Sequence, residues 1–146
     1  MKGAYLLVIQ LRTGRTIDVG ARGPLLFESG WYVYVGSAKR GIEQRVARHL
    51  RREKKLFWHI DYLLAVDEAS IVEIYKMECS EKTECPVAAG LSGKLGSVEG
   101  FGCSDCRCVS HLFRHPEKEA LDTAIRETLK YLNLNVVLVP VAVIRG

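Results

Sequence analysis

Residues 31–52 read WYVYVGSAKRGIEQRVARHLRR, and the change of hydrophobic period within them decides the fold class. Trp31-Tyr32-Val33-Tyr34-Val35 is an aromatic and β-branched run with Tyr32 and Tyr34 on one face, the pattern of a strand, and Gly36 ends it. From Ile42 to Arg52 the apolar residues recur at helical spacing, with Ile42, Val46 and Leu50 on one stripe and most of the basic residues off it. His49 falls on that stripe and Arg45 at its edge. Four residues apart, they project from one side of the helix toward whatever the stripe packs on.

Working outward, Gly3 to Leu11 is rich in Leu, Val and Ile and reads as a strand buried on both faces. Thr13-Gly14 reads as a hairpin turn into Arg15 to Val19, and a loop holding Gly20, Gly23, Pro24 and Gly30 leads to the aromatic strand. Beyond the basic helix, Leu56 to Val66 reads as a second helix. Ser70 to Met77 reads as a strand that alternates Ile71, Glu73 and Tyr75 against Val72, Ile74 and Lys76. Thr83 or Cys85 is placed to cap a short helix with Pro86 in its first turn. Residues 96–114 are rich in glycine and cysteine without a sustained period, so they read as a structured loop or metal-held segment. Glu117 to Tyr131 reads as a helix with an acidic first turn, and Val136 to Ile144 as an edge strand or bulge containing Pro140. Strands precede, interrupt and follow helices without regular βαβ alternation. The class is α+β, a small and largely antiparallel sheet flanked by helices.

The 146 residues suit one domain, and a composition of 48% apolar and 26% charged residues excludes disordered, collagenous and low-complexity classes. The apolar run Leu6-Leu7-Val8-Ile9 is interrupted by Gln10 and Arg12, too soon for a signal peptide or membrane span, so the cytoplasm is the default compartment and no membrane partner is expected. Five cysteines without a sign of export favour free thiols or metal over a disulfide framework. Net charge is only +4, yet Lys39, Arg40, Arg45, Arg48, Arg51, Arg52, Lys54 and Lys55 against Glu43 and Glu53 give residues 39–55 a charge of +6. Such clustering is the footprint of a polyanion site, because grouped cations gain affinity by releasing counterions from phosphates. A solvated helix face gives the same pattern.

Gly3-Ala4-Tyr5, Tyr34-Val35-Gly36, Ser37-Ala38-Lys39 and Arg45 together resemble the GIY-YIG nuclease family. Trp58-His59-Ile60-Asp61-Tyr62 and residues 101–108, Phe-Gly-Cys-Ser-Asp-Cys-Arg-Cys, are similar to its Uri-type branch, an archaeal and bacterial subfamily sometimes fused to DNA-glycosylase domains. The resemblance implies a nuclease core over about residues 1–95 and an elaboration over about 96–146, a cysteine-containing segment with a C-terminal helix and strand. It implies a metal-dependent endonuclease that hydrolyses DNA phosphodiester bonds, with RNA open as substrate. Tyr34 or Tyr5 would activate the nucleophile, Arg45 would steady the phosphate bidentately, and His49 would orient water or donate to an oxygen. A glutamate would hold Mg2+ or Mn2+. The family's register puts Ala89 at that point, with Glu84 about one and a half turns earlier and Glu81 earlier still; either is able to substitute, or the site is lost, and Glu84 is carried over as the ligand. The spacing from Tyr5 to Tyr34 is longer than the family's and implies an inserted hairpin and loop. Lys39, Arg40, Arg48, Arg51, Arg52, Lys54 and Lys55 are the expected nucleic-acid contacts.

A chain with the tyrosines and arginine but no metal carboxylate would bind nucleic acid without cutting it, acting with DNA-repair partners. Cys85, Cys106, Cys108 and His111 make a tetrahedral zinc site feasible, and a zinc-stabilised interaction domain is a third reading. Small cysteines packed beside glycines, with His111 bonded to backbone, give the same sequence. Trp58 and His59 read as structural, the indole on the sheet and the imidazole hydrogen-bonded beneath it, at the border of the nucleic-acid groove.

Overall fold

A computed structural model of the protein describes residues 3–38, 41–51, 54–78, 84–102, 110–139 and 141, with the side chains of Glu78 and Glu84 outside the description. The core is an antiparallel sheet whose central strand is β1 (Gly3–Leu11), paired on one side with β4 (Gly30–Ala38) and on the other with β5 (Ala69–Glu78). Beyond β4 lie β7 (Leu112–His115) and the two-residue β6 (Gly96–Ser97), and beyond β5 lies β8 (Val137–Val139). Among the described residues this makes six strands in the order β6-β7-β4-β1-β5-β8.

Burial of β1 on both faces explains its nearly continuous apolar sequence. Tyr5, Leu7, Ile9 and Leu11 face one layer, built by α1 (Ile42–Leu50) and α2 (His59–Leu64). Ala4, Leu6 and Val8 face the other, built by α3 (Glu84–Ser92) and α4 (Lys118–Tyr131). The first layer carries the residues discussed below.

Five local readings change, the first being that residues 96–114, read as a loop or metal-held segment, contribute β6 and most of β7 to the sheet. Gly36 does not end the aromatic strand: β4 runs on to Ala38, in register with β1 to Gly3. Residues after the Thr13-Gly14 turn do not pair back onto β1. Instead β2 (Arg15–Asp18) pairs with β3 (Pro24–Phe27), a strand inside the glycine-containing loop, and the two form a separate hairpin. A hairpin and loop thus stand between the strands of Tyr5 and Tyr34, as the sequence reading expected. The helix expected over Leu56 to Val66 is only His59–Leu64, because the Asp61 carboxylate accepts the Phe57 and Trp58 N–H groups and starts the helix there. In β5 the simple alternation fails at a bulge: Val8 faces Glu73 and Ile9 faces Ile71, so Val72 is the extra residue. Ile71 and Ile74 thereby share the α1 face, while Val72 and Tyr75 join the α3 and α4 face.

Candidate active site

The site forms where the two tripeptides meet. Tyr5 stands opposite Gly36 across the β1–β4 ladder, and its ring lies over the glycine so closely that an added Cβ would fall 2.5 Å from the phenol oxygen. Any side chain at position 36 would displace the tyrosine. Tyr34 points to the same face two residues earlier, and on β5 Lys76 stands opposite Tyr5.

Helix α1 lies across this face and buries Ile42, Val46 and His49. Its first turn follows Gly41, whose left-handed backbone (φ 68°) turns the chain from β4 into the helix. Val46 and Ile42 anchor the helix to β1 and β4, which sets His49 against Tyr5: the phenol oxygen and His49 Nε2 are 2.7 Å apart. Tyr34 meets the same imidazole edge-on at 6.1 Å, and Trp58 at 5.9 Å. Arg45, half-buried, donates from Nη1 to the Ser37 carbonyl at 3.1 Å. Its guanidinium stacks 4.6 Å from the centre of the Trp58 ring, and that of Arg48 stacks on the same indole at 4.4 Å. The indole thus contacts two cations, an arrangement that stabilises guanidinium groups by about 0.5–2 kcal/mol each.

Burial dominates the titration of the central pair. It raises the Tyr5 phenol well above its ordinary value, with the Arg45 guanidinium pulling the other way. It pushes His49 down to about 3, helped by the positive charge of Lys54, Arg48 and Arg45. At neutral pH Tyr5 is a phenol and His49 a neutral imidazole. With Arg45 favouring lone pairs on the phenol oxygen, the phenol proton is best assigned to the bond with Nε2, leaving the imidazole proton on Nδ1. Among the described residues Nδ1 has no hydrogen-bond partner.

The expected phosphate-binding cations divide. Arg48 forms a bidentate pair with the buried Asp61 at 2.9 and 3.0 Å and donates to the Lys55 carbonyl, so it holds structure together before it holds a ligand. Lys54 donates to the carbonyls of His49 and Arg51 at 2.8 and 3.1 Å, closing the C-terminus of α1. Arg51 and Lys55 are exposed beside them. Lys39, Arg40 and Arg52 lie outside the described residues. Lys76, which the sequence reading passed over, adds a cation next to Tyr5 and pairs with Glu43 at 3.7 Å. Only the strand register, fixed by the bulge, reveals it.

The metal readings fare differently. Asp61 does not fit a metal ligand, since Arg48 and the N–H groups of Phe57 and Trp58 take up both its oxygens and hold its pKa below the ordinary value against the opposing effect of burial. Glu84 opens α3, which packs on the opposite face of the sheet from Tyr5. Of the expected zinc set, Cys106 and Cys108 lie outside the described residues, Cys85 sits in the first turn of α3, and His111 Nδ1 is 3.2 Å from the Val35 carbonyl. Among the described residues, no three His, Cys, Asp or Glu side chains gather as a cation site.

Trp58, read as a structural indole at the border of the groove, does pack against the core and in addition carries both arginines. His59 is structural as expected: its Nδ1 accepts the Gly102 N–H at 3.0 Å and its ring meets Phe101 edge-on.

Fold and site define an α+β domain with a tyrosine, histidine and arginine cluster on one sheet face. The chain belongs to the family described as "Domain of unknown function DUF123", whose model matches residues 4–134. No curated protein and no solved structure matches it. No described helix is long and apolar enough to cross a membrane.

Proposed function

We propose that this chain is a GIY-YIG-type endonuclease, akin to the Uri branch, that hydrolyses DNA phosphodiester bonds. The observation that carries the reading is the meeting of Tyr5, Gly36, Arg45 and His49, drawn from two strands and a helix, on one cationic face.

The chemistry follows from the roles these groups are able to fill. Arg45, tethered by Nη1 to Ser37 and by its plane to Trp58, offers its remaining N–H groups to a phosphate oxygen, with Lys76 adding charge. Because burial is what chiefly keeps His49 neutral and Tyr5 protonated, the imidazole accepts the Tyr5 proton only once the site opens to water, where a bound phosphodiester also offsets the flanking cations. The phenolate oxygen then takes a proton from the attacking water. Arg45 stabilises the added charge of the pentacovalent phosphate, which water alone does poorly in a dry site. Glu84, the acid carried over for Mg2+ or Mn2+, opens α3 on the other face of the sheet and does not fit a cation at this phosphate, so no step here runs through a metal.

One observation favours a second reading, a nucleic-acid-binding module without cleavage that works beside a repair protein. Tyr5 is 1% exposed, so the phenol meets no water until the site opens.

Nicking of supercoiled plasmid with Mg2+ or Mn2+ separates the readings, run beside binding titrations at several salt concentrations. Cleavage that Tyr5→Phe and Arg45→Ala each reduce by about a hundredfold supports the nuclease. Binding without cleavage supports the module. Either way Arg45→Ala should lower the slope of log affinity against log salt by about one. A slope unchanged by that variant would remove Arg45 from the phosphate.

A further inference from the structure

Resting on the reading of this face as a DNA site, we propose that Phe57 stacks on an unpaired base next to the phosphate held by Arg45, so the preferred substrate is single-stranded or locally unpaired DNA. Phe57 is 73% exposed and its neighbour Leu56 42%. A lone exposed apolar residue means nothing by itself. Here three backbone groups of the loop that displays it are tied down. The Phe57 N–H donates to Asp61 Oδ2 at 2.9 Å, the Trp58 N–H donates to the same oxygen at 2.8 Å, and the Lys55 carbonyl accepts from Arg48 at 2.9 Å. A backbone tied down this way keeps a large aromatic ring in water at a fixed place.

That place is beside the cations. The Phe57 ring stands edge-on to Trp58, with centroids 5.5 Å apart at 84°, and the Arg45 guanidinium lies 4.6 Å from the same indole centre. Phe57 is therefore two contacts from Arg45. Lys55 and Arg51, both exposed, extend the positive surface around it. An exposed aromatic face interleaved with cations is how proteins hold single strands, because every base has a π-face and every nucleotide a phosphate. In a duplex the bases are stacked on one another and paired, which leaves none for Phe57 to cover. The other cations of the loop do not compete for this role. Arg48 is committed to Asp61 and Lys54 to the end of α1.

The test is fluorescence anisotropy of an end-labelled 20-nucleotide single strand and of its duplex, with wild type, Phe57→Ala, Phe57→Tyr and Arg45→Ala. Phe57 is exposed, so its variants should fold, and circular dichroism checks this. The expected result is a single-strand to duplex affinity ratio that falls about tenfold in Phe57→Ala and returns in Phe57→Tyr, since one stacked base is worth about that factor. An affinity ratio equal in wild type and Phe57→Ala overturns the stacking role while leaving the DNA reading in place. No binding of either oligonucleotide by wild type overturns both. A fall in both affinities in Arg45→Ala, with Phe57→Ala weakening the single strand alone, places the phosphate and the base as proposed.

Discussion

Tyr5 and His49, 44 positions apart, share a hydrogen bond of 2.7 Å inside the protein, and burial drives their proton affinities in opposite directions. The pair is stable only while the imidazole is uncharged. Its neighbours make this strict: the cations Lys54, Arg48 and Arg45 all oppose a charge on the ring, and among the described residues the paired Asp61 acts the other way.

Stability should therefore fall on mild acidification. The folded pKa of about 3 lies below the unfolded value near 6.5, so between them the unfolded chain binds more protons and stability drops as pH falls. The slope for one such group reaches about 1.4 kcal/mol per pH unit. His59, also lowered by burial, acts in the same direction, whereas Asp61 is depressed below its ordinary 3.8 and loses its contribution only in stronger acid. Urea midpoints between about pH 6.5 and 4.5 read the effect in the window where His49 and His59 act and Asp61 does not. His49→Gln keeps an acceptor for the phenol and removes the titration, so its slope should be clearly flatter than wild type. An unchanged slope would mean that His49 titrates normally in the folded protein.

Gly36 and Tyr5 make the second prediction. Because the ring occupies the volume a Cβ would need, Gly36→Ala should cost about 1–3 kcal/mol and pull the phenol away from His49. The same substitution in a Tyr5→Ala background meets no ring and should cost under about 0.5 kcal/mol, so the two changes are strongly non-additive. Additive costs in a thermal double-mutant cycle would show that the crowding arises elsewhere.

What the sequence made legible follows from where the physics is local. The α1 stripe and the two-faced burial of β1 are periodic signals, so His49, Arg45 and Tyr5 were placeable on their elements without a structure. The pairing of β2 with β3 and the bulge at Val72 were not, because they depend on which strand lies alongside, which no window of sequence contains. The same limit hid Lys76, whose nearness to Tyr5 is a matter of register. Arg48 and Lys54 were read as ligand-facing from charge alone. Charge does not reveal that one has a buried carboxylate opposite it and the other a helix end. Trp58 was underread for a related reason, since its two arginine partners come from an earlier helix and only folding stacks all three.

Asp61 ties these parts together and carries the last prediction. Its side chain is fully buried, it pairs with Arg48 through both oxygens, and it accepts the N–H groups of Phe57 and Trp58. Asp61→Ala leaves a partly buried guanidinium and two backbone donors without their acceptor, and should cost about 3–5 kcal/mol. Adding Arg48→Met removes the stranded charge but not the stranded N–H groups, so the double variant should recover only part of the loss and remain about 1–2 kcal/mol below wild type. Denaturant unfolding of the single and double variants gives both numbers. Full recovery would mean that the capping bonds to Phe57 and Trp58 contribute nothing, and the loop carrying Phe57 would then need another support. Partial recovery with a single-strand affinity still depressed would instead tie that support to the Asp61 and Arg48 pair jointly, since Arg48→Met also frees the Lys55 carbonyl and the Trp58 ring.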